Sequence, residues 1–255
     1  MSFMALSGTI PLVKRERFGY TDAEGGEYMK KRFDFTVRTK QDLIDAVHDF
    51  GVVPLFRNAI PGFSVEEHVD PVAWFDSGQD GVWEWKGPVI RESGCAYGKF
   101  FEKKAAFVSA AWFPDLANFR RDGYDFDARW DEGLAPRGDK FLYDLIDANG
   151  PLLSKRLKQL GEYGRDGRKG FDTTIGRLQT QGYVLISDFV YSQDKHGQRY
   201  GWGVAEYTTP EKLFGRQFAD AVYRHEPKES RARLLAHLRA LLPAVKETAL
   251  ERFLG

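Results

Sequence analysis

The sequence predicts an α+β fold, mostly helical, with small antiparallel β elements. Two observations in the segment from Gly150 to Ser187 lead to this prediction. The first is a succession of patterns. Leucines at three- and four-residue spacing indicate a helix, and a Gly-rich basic loop follows it. Asp172 is then placed to cap a second helix that ends near Gly182. The second is an apolar run from Tyr183 to Ile186, which indicates a strand. Helix, loop, helix and strand in this order are typical of a winged-helix module.

The chain before this module divides into an irregular arm, residues 1–32, and an aromatic-rich part, residues 33–138. The arm mixes glycine turns with scattered charges and shows no period. After it, apolar and polar residues alternate over residues 32–38, which predicts a strand. Thr39 then caps a predicted helix with one apolar face, and Gly51 ends this helix.

Aromatic side chains are dense between Pro71 and Arg121, and we expect most of them to build the core rather than a surface on which bases stack. The run Trp83-Glu84-Trp85-Lys86 places a carboxylate between two indoles, surroundings that raise the pKa of a carboxyl group. Glu84 is therefore the first candidate for a general acid or base. A salt-bridged structural carboxylate gives the same pattern.

A second group of candidates for acid–base chemistry lies upstream of this run. Ser64 and Glu67 have the spacing of a capping box, which predicts the start of a short helix. The ionisable side chains at this place are further candidates for catalysis, namely Glu66, Glu67 and His68.

The predicted winged-helix module spans residues 139–208, and a C-terminal helical part follows over residues 209–255. A polar turn separates two apolar runs after Ile186, and this pattern predicts the hairpin that forms a wing. Thr209-Pro210 then opens a helix. Leucine-rich patterns after it predict a closing pair of helices with ordinary packing faces.

Basic residues are concentrated in the module, although the formal net charge of the whole chain is zero. Between Ser154 and Arg177 there are seven basic residues and three acidic ones. A local excess of this kind is what a phosphate-binding face needs, and the second helix of such modules enters the major groove. A solvated face without a ligand gives the same charge pattern. The sequence predicts nucleic-acid contacts by Lys155, Arg156, Arg165, Arg168, Lys169, Thr173, Thr174, Arg177, Gln181, Lys195 and Arg199.

Length and composition are ample for a core, since 42% of the 255 residues are hydrophobic and 15% are aromatic. No apolar run approaches the ~20 residues of a membrane-spanning helix, and the first residues lack the pattern of a secretory signal. We therefore expect a cytoplasmic protein that makes no contact with a membrane. The single cysteine, Cys95, is expected to be a small buried side chain.

Sequence motifs for bound groups are absent. The chain has no glycine-rich nucleotide loop, no His-Glu-x-x-His motif and no clustered His/Cys set. Asp125-Phe126-Asp127 lacks the glycine and the distal glutamate of a calcium-binding loop. The sequence thus predicts neither a metal ion nor an organic cofactor.

Three blocks of the sequence carry a resemblance to a known family. They are the run from Phe50 to Phe56; the segment from Val82 to Arg121, which contains Trp112-Phe113-Pro114-Asp115-Leu116; and the central module, with Gly150-Pro151-Leu152, Arg168-Lys169-Gly170 and Gln181-Gly182-Tyr183-Val184. In this order they resemble the bacterial winged-helix DNA glycosylases of the AlkZ/YcaQ type, which excise alkylated or crosslinked bases. The resemblance implies a winged-helix fold, duplex DNA as the partner and no cofactor.

The resemblance fails at the positions that carry the family's chemistry. The family's catalytic pair, a glutamine with a second glutamine or an aspartate two residues later, positions the water that attacks the sugar once the base has been flipped. These positions fall on Pro54 and Phe56, whose side chains neither donate nor accept a hydrogen bond. Gln179-Thr180-Gln181 contains two glutamines at the spacing of this pair, but it lies at the end of the predicted recognition helix.

Three functions stay open at this point, in order of preference. The first is binding of nucleic acid, duplex DNA above all, without catalysis. The second is a DNA glycosylase that removes a damaged or modified base with a relocated carboxylate, where Glu84 stabilises the cationic sugar. The third is a protein-interaction winged-helix module whose basic residues have no ligand.

Overall fold

The computed structural model describes residues 33–74 and 81–255, and about half of these residues are helical. The helices are α1 (Lys40–Phe50), α2 (Pro71–Trp74), α3 (Val82–Ser93), α4 (Phe113–Arg121), α5 (Phe126–Asp131), α6 (Arg137–Asn149), α7 (Ser154–Leu160), α8 (Phe171–Thr180), α9 (Pro210–Phe214), α10 (Arg216–Val222), α11 (Pro227–Leu241) and α12 (Glu247–Leu254). The strands are β1 (Val52–Pro54), β2 (Ala96–Phe101), β3 (Lys104–Val108), β4 (Leu152–Leu153), β5 (Leu185–Gln193) and β6 (Arg199–Thr208). The predicted α+β, mostly helical fold is confirmed.

The first sheet lies directly after α1, and its strand order is β1-β3-β2 with antiparallel pairing. Thr39 and Asp42 form a capping box at the start of α1, and the apolar face of this helix is buried as predicted. Gly51 ends the helix with φ at 71°. A side chain at this position would collide with the indole of Trp112, so the turn into β1 requires glycine.

The predicted strand over residues 32–38 is wrong. Within the described residues, this segment forms only an isolated bridge between Val37 and Val69. Its backbone N–H groups bind to separate partners. The N–H of Phe33 donates to the carbonyl of Leu241 at 3.3 Å, and the N–H of Val37 donates to the carbonyl of His68 at 2.9 Å. The alternation therefore reflects alternate burial of side chains on the core rather than a ladder. The irregular arm predicted for residues 1–32 lies outside the described residues.

The short helix expected after Ser64 is a single 3₁₀ turn, Val65–Glu67. The hydroxyl of Ser64 donates to the carboxylate of Glu67 at 2.6 Å instead of accepting from the backbone. The capping pattern thus marked the right place, but the two side chains bind each other.

The segment from α6 to β6 has the element order helix, strand, helix, helix, strand, strand, and its sheet has the order β4-β6-β5. The leucines that predicted one helix from Gly150 onward divide between two elements. Leu152 and Leu153 lie opposite Tyr207 and Glu206 in the sheet, and α7 begins only at the next residue. Three-residue spacing could not distinguish this short strand from the first turn of a helix.

Most of the dense aromatic side chains build the core, as predicted. Those almost fully buried are Trp74, Trp85, Tyr97, Phe100, Phe101, Phe107 and Phe113. Cys95 is also buried, and burial raises the pKa of its thiol to about 12. The cysteine is therefore a small core side chain, as expected.

A fully buried arginine joins the two halves of the chain. The guanidinium of Arg121, at the end of α4, donates to Glu211 at 2.8 Å, to the hydroxyl of Tyr223 at 3.0 Å and to the carbonyl of Gly182 at 2.8 Å. It also lies 4.6 Å from the ring centroid of Tyr183. Burial acts to lower the pKa of Arg121, but Glu211 and Tyr223 raise it above its ordinary value, so the cation is retained.

We predict that Arg121→Met lowers the free energy of unfolding by about 1–3 kcal/mol, because the buried carbonyl of Gly182 and the partly exposed carboxylate of Glu211 lose their partner. Urea unfolding followed by tryptophan fluorescence measures this loss. The control is Arg224→Met at an exposed position. The double variant Arg121→Met/Glu211→Leu should recover part of the stability. Equal stability of the Arg121 and Arg224 variants would contradict the structural role of Arg121.

Candidate nucleic-acid interface

Helix α8 is fixed on α6 by an ion pair as well as by apolar packing. The guanidinium of Arg177 binds both carboxylate oxygens of Asp139, with 2.6 Å between Nε and Oδ2. Asp139 is only 1% exposed, and its hydrogen bond raises the pKa of Arg177. Arg177, one of the predicted contact residues, therefore has a structural partner inside the protein.

The exposed part of α8 is its first turn. Thr173 is exposed, but Thr174 is buried, and Gln181 follows the end of the helix and is half-buried. At the other end the hydroxyl of Thr180 donates to the backbone carbonyl of Lys99 in β2 at 2.9 Å. The first sheet thus contacts the end of α8 and leaves its beginning open to solvent.

The loop between α7 and α8 carries three of the predicted contact residues at exposed positions, Arg165, Arg168 and Lys169. Arg168 N–H donates to the carbonyl of Glu162 at 2.8 Å, and the Lys169 ammonium donates to the carbonyl of Gly164 at 2.7 Å. The guanidinium of Arg168 lies 4.0 Å from the ring centroid of Phe141. The loop is therefore ordered by its own contacts and ends where the exposed turn of α8 begins.

Helix α7 adds two exposed cations, Lys155 and Arg156. Arg156 donates to the side-chain oxygen of Gln159 at 2.8 Å on the same helix. The next cation, Lys158, is half-buried over the ring of Phe171 and lies 3.5 Å from Asp172. Lys155 and Arg156 thus keep their charged ends at the surface.

The β5–β6 hairpin projects from the second sheet, and residues 192–202 are exposed without interruption. Asp194 holds its turn by accepting the N–H groups of His196 and Gln198 at 2.8 and 2.9 Å. Lys195 and Arg199 lie at this tip. Trp202, nearer the base, is 78% exposed, which is unusual for an indole.

The base of the hairpin is anchored on α3. Asp188 forms an ion pair with Arg91, and the hydroxyl of Tyr191 donates to the carbonyl of Trp83 at 3.1 Å. Gly87 allows this close approach, because a side chain there would collide with the carboxylate of Asp188. These contacts fix the hairpin base, whereas residues 192–202 at its outer end are exposed.

A buried lysine, which the sequence analysis did not single out, lies at this junction. Lys86 on α3 is 7% exposed, and its ammonium nitrogen lies 4.2 Å from the ring centroids of both Trp83 and Phe189. Burial lowers the pKa of Lys86 to about 8, while the charge of Glu84 acts to raise it. The three-residue spacing of Trp83 and Lys86 on one helical face was the available sequence signal.

Each of the four candidate catalytic residues makes a local structural hydrogen bond. Glu84 accepts the N–H of Gly81 at 3.1 Å at the start of α3, and Glu66 accepts the N–H of Arg57 at 2.9 Å. Glu67 accepts the hydroxyl of Ser64, and Nε2 of His68 lies 2.8 Å from the carbonyl of Gly62. Glu66, Glu67 and His68 therefore belong to one loop, and Glu84 to the cap of a helix.

Comparison with known proteins adds one finding at this point. A family described as AlkZ related matches residues 37–255. The chain belongs to the AlkZ-related family. No curated protein and no solved structure matches it. The resemblance noted in the sequence is thereby confirmed over most of the chain.

The positions aligned with the catalytic pair are apolar in this AlkZ-related chain. Pro54 is buried in β1 opposite Ala106. The ring of Phe56 packs against those of Trp74 and Trp83, with 6.0 Å between centroids in each pair. This aromatic cluster occupies the place where the family resemblance led us to expect a polar pair.

The described residues of this AlkZ-related chain show no group of three His, Cys, Asp or Glu side chains arranged to hold a metal ion. In the same two ranges, 33–74 and 81–255, no helix is both long and apolar enough to cross a membrane.

We predict that Lys86→Met changes the pH dependence of stability. The folded pKa of about 8 lies below the ordinary value of 10.5, so the unfolded chain binds an extra proton between these values. The stability of the parent therefore rises with pH across this window, by up to about 3 kcal/mol, and the contribution of Lys86 is constant below it. The Lys86→Met variant lacks this titrating group. The free energy of unfolding of the variant minus that of the parent should therefore be greatest at pH 7 and smallest near pH 10.5. Urea unfolding of both proteins across this range measures the difference, and a constant difference would contradict the burial of a free amine.

Proposed function

We propose that the segment from α6 to β6 is a winged-helix module that binds duplex DNA. Its element order and its three-stranded sheet support this proposal, since they place two helices before a hairpin of the kind that forms a wing. Membership of the AlkZ-related family supports it independently. The predicted module bounds, residues 139–208, differ little from the extent of these elements.

The observation that carries the proposal is the charge around the exposed start of α8. Arg165, Arg168 and Lys169 precede this turn in the loop, and its free N–H groups add partial positive charge. Lys195 and Arg199 offer a second set of cations at the hairpin tip. Phosphate groups are ligands that bind exposed cations of this kind. The positive charge is local to this surface, because the chain as a whole has no formal net charge.

We further propose that binding depends mainly on contacts with phosphate groups rather than on hydrogen bonds to the edges of bases. Arg177 is engaged by Asp139, Thr174 is buried, and Gln181 lies past the end of the helix. Of the four residues predicted on this helix, Thr173 is the exposed one. Specificity through base edges requires several side chains in the groove, so weak sequence preference follows.

The proposed binding does not include base excision. Pro54 and Phe56 offer no group that could orient a water molecule. Glu84, the alternative carboxylate, is held by the backbone at the start of α3. The tests below distinguish this proposal from the two alternatives, a glycosylase with a relocated carboxylate and a protein-interaction module.

We predict that the triple variant Lys155→Ala/Arg165→Ala/Lys195→Ala binds duplex DNA more weakly than the parent and with less salt dependence. Loss of up to three phosphate contacts should reduce the slope of log K against log salt by about 2–3. Fluorescence anisotropy with a labelled duplex at several salt concentrations measures both changes. The matched control, Arg224→Ala/Lys228→Ala/Lys246→Ala, removes the same charge at exposed positions of the C-terminal part and should bind like the parent. Identical slopes for the two variants would contradict this interface, and absence of binding by the parent would favour the protein-interaction module.

We predict that duplex DNA containing an alkylated base acquires no alkali-sensitive sites when incubated with the protein. Gel analysis after alkali treatment measures base loss. The control variant is Glu84→Gln, because the glutamine carbonyl still accepts the Gly81 N–H. Strand breaks with the parent that disappear in Glu84→Gln would establish the glycosylase instead.

A further inference from the structure

The amine of Lys86 is not explained by packing. Its side chain is more than nine-tenths buried, its nitrogen lies 4.2 Å from each of two aromatic ring centroids, and the nearby charge of Glu84 acts on it. An ammonium beside two aromatic rings gains cation–π attraction but loses most of its hydration. An apolar side chain of the same length would fill this space without that loss. Packing alone therefore gives no reason for an amine at this position.

The side chains that cover Lys86 belong to the hairpin and to the start of α3. The ring of Phe189 from β5 and that of Trp83 from α3 both lie over the amine. Trp83 in turn meets the exposed indole of Trp202, with 6.1 Å between ring centroids. Since residues 192–202 are exposed throughout, little packing resists a shift of the outer hairpin. Trp83 thus contacts both the amine and an indole that is exposed to solvent, so a shift of the outer hairpin would uncover the ring beside the amine.

A largely buried lysine that forms no ion pair with the described residues has the environment of a nucleophilic amine. Burial favours its neutral form, which carries the lone pair that attacks a carbonyl carbon. With the pKa near 8, a useful fraction of the amine is neutral close to physiological pH. Lys86 itself lies on α3, but the hairpin that covers it belongs to the proposed DNA-binding segment, so a carbonyl compound within DNA is the one considered.

We propose that Lys86 is a nucleophile that forms an imine with the aldehyde of an abasic deoxyribose in DNA. The Nζ–C1′ bond forms by attack of the lone pair on the carbonyl carbon, and the carbonyl oxygen leaves as water after taking up two protons, one of them from the amine and one from solvent. The product is a protonated imine, and no oxidant or reductant takes part. An abasic site is an aldehyde flanked by the phosphates of a DNA strand, which the cations of the hairpin and of the α7–α8 loop would bind. This inference rests on the proposed DNA binding.

The experiment is reductive trapping. The protein is mixed with a duplex that contains one abasic site, borohydride is added to reduce the imine to a stable amine, and a denaturing gel detects the protein–DNA crosslink. A duplex with a tetrahydrofuran analogue, which has no aldehyde, serves as the control substrate and, in anisotropy, as the measure of binding. The variants are Lys86→Met and, as the matched control, Lys228→Met at an exposed position.

We expect a crosslink with the abasic duplex for the parent and for Lys228→Met, its loss in Lys86→Met, and none with the tetrahydrofuran duplex. Lys86→Met should still bind the tetrahydrofuran duplex like the parent, which excludes unfolding as the cause. A crosslink that persists in Lys86→Met would overturn the proposal, because another amine then reacts. Binding of both duplexes without a crosslink would overturn the imine and leave the proposed DNA binding intact, whereas absence of binding and of the crosslink would overturn both.

Discussion

The buried guanidinium of Arg121 is the interaction on which the rest of the arrangement depends. It ends α4 and binds the carbonyl of Gly182, just after α8, together with Glu211 on α9 and Tyr223 after α10. A buried arginine needs nearly all of these partners, since each unmet N–H group inside a protein costs free energy. The elements that supply them are therefore held at fixed positions around α4.

This constraint decides which part of α8 meets solvent. Gly182 lies so close to α4 that a side chain there would come within 3.3 Å of the Cα of Ala117, and its φ of 76° also requires glycine. The end of α8 is thereby turned toward the protein, where Thr180 contacts β2, and its start is turned outward. The Arg177–Asp139 pair then sets the helix against α6. The proposed binding surface follows from these contacts: the outer turn of α8, the basic loop before it and the hairpin.

Local patterns predicted much of this structure. The capping box at Thr39, the helix α8 and the two strands of the hairpin depend on neighbouring residues, so the sequence reveals them. The predicted cap of α8 was wrong, because the helix begins after Gly170 and Asp172 lies within its first turn. The strand expected over residues 32–38 and the helix expected at Leu152 depended on distant partners in the sheet, which no local pattern contains. The candidate site divides in the same way. The basic loop was visible as a charge excess, whereas the burial of Lys86 depends on Phe189, 103 residues later in the chain. Likewise Arg177 appeared to be a free cation until the position of Asp139 was known.

The most direct test of the account is hydrogen–deuterium exchange of the full chain with and without duplex DNA. The account predicts slower exchange in the presence of DNA over residues 155–173 and 192–202, where backbone N–H groups lie beside the proposed phosphate contacts. Exchange in α11 and α12, on the C-terminal part, should stay unchanged. Protection confined to the C-terminal helices, or no protection at DNA concentrations that saturate binding, would contradict a DNA-binding surface built from the α7–α8 loop and the hairpin.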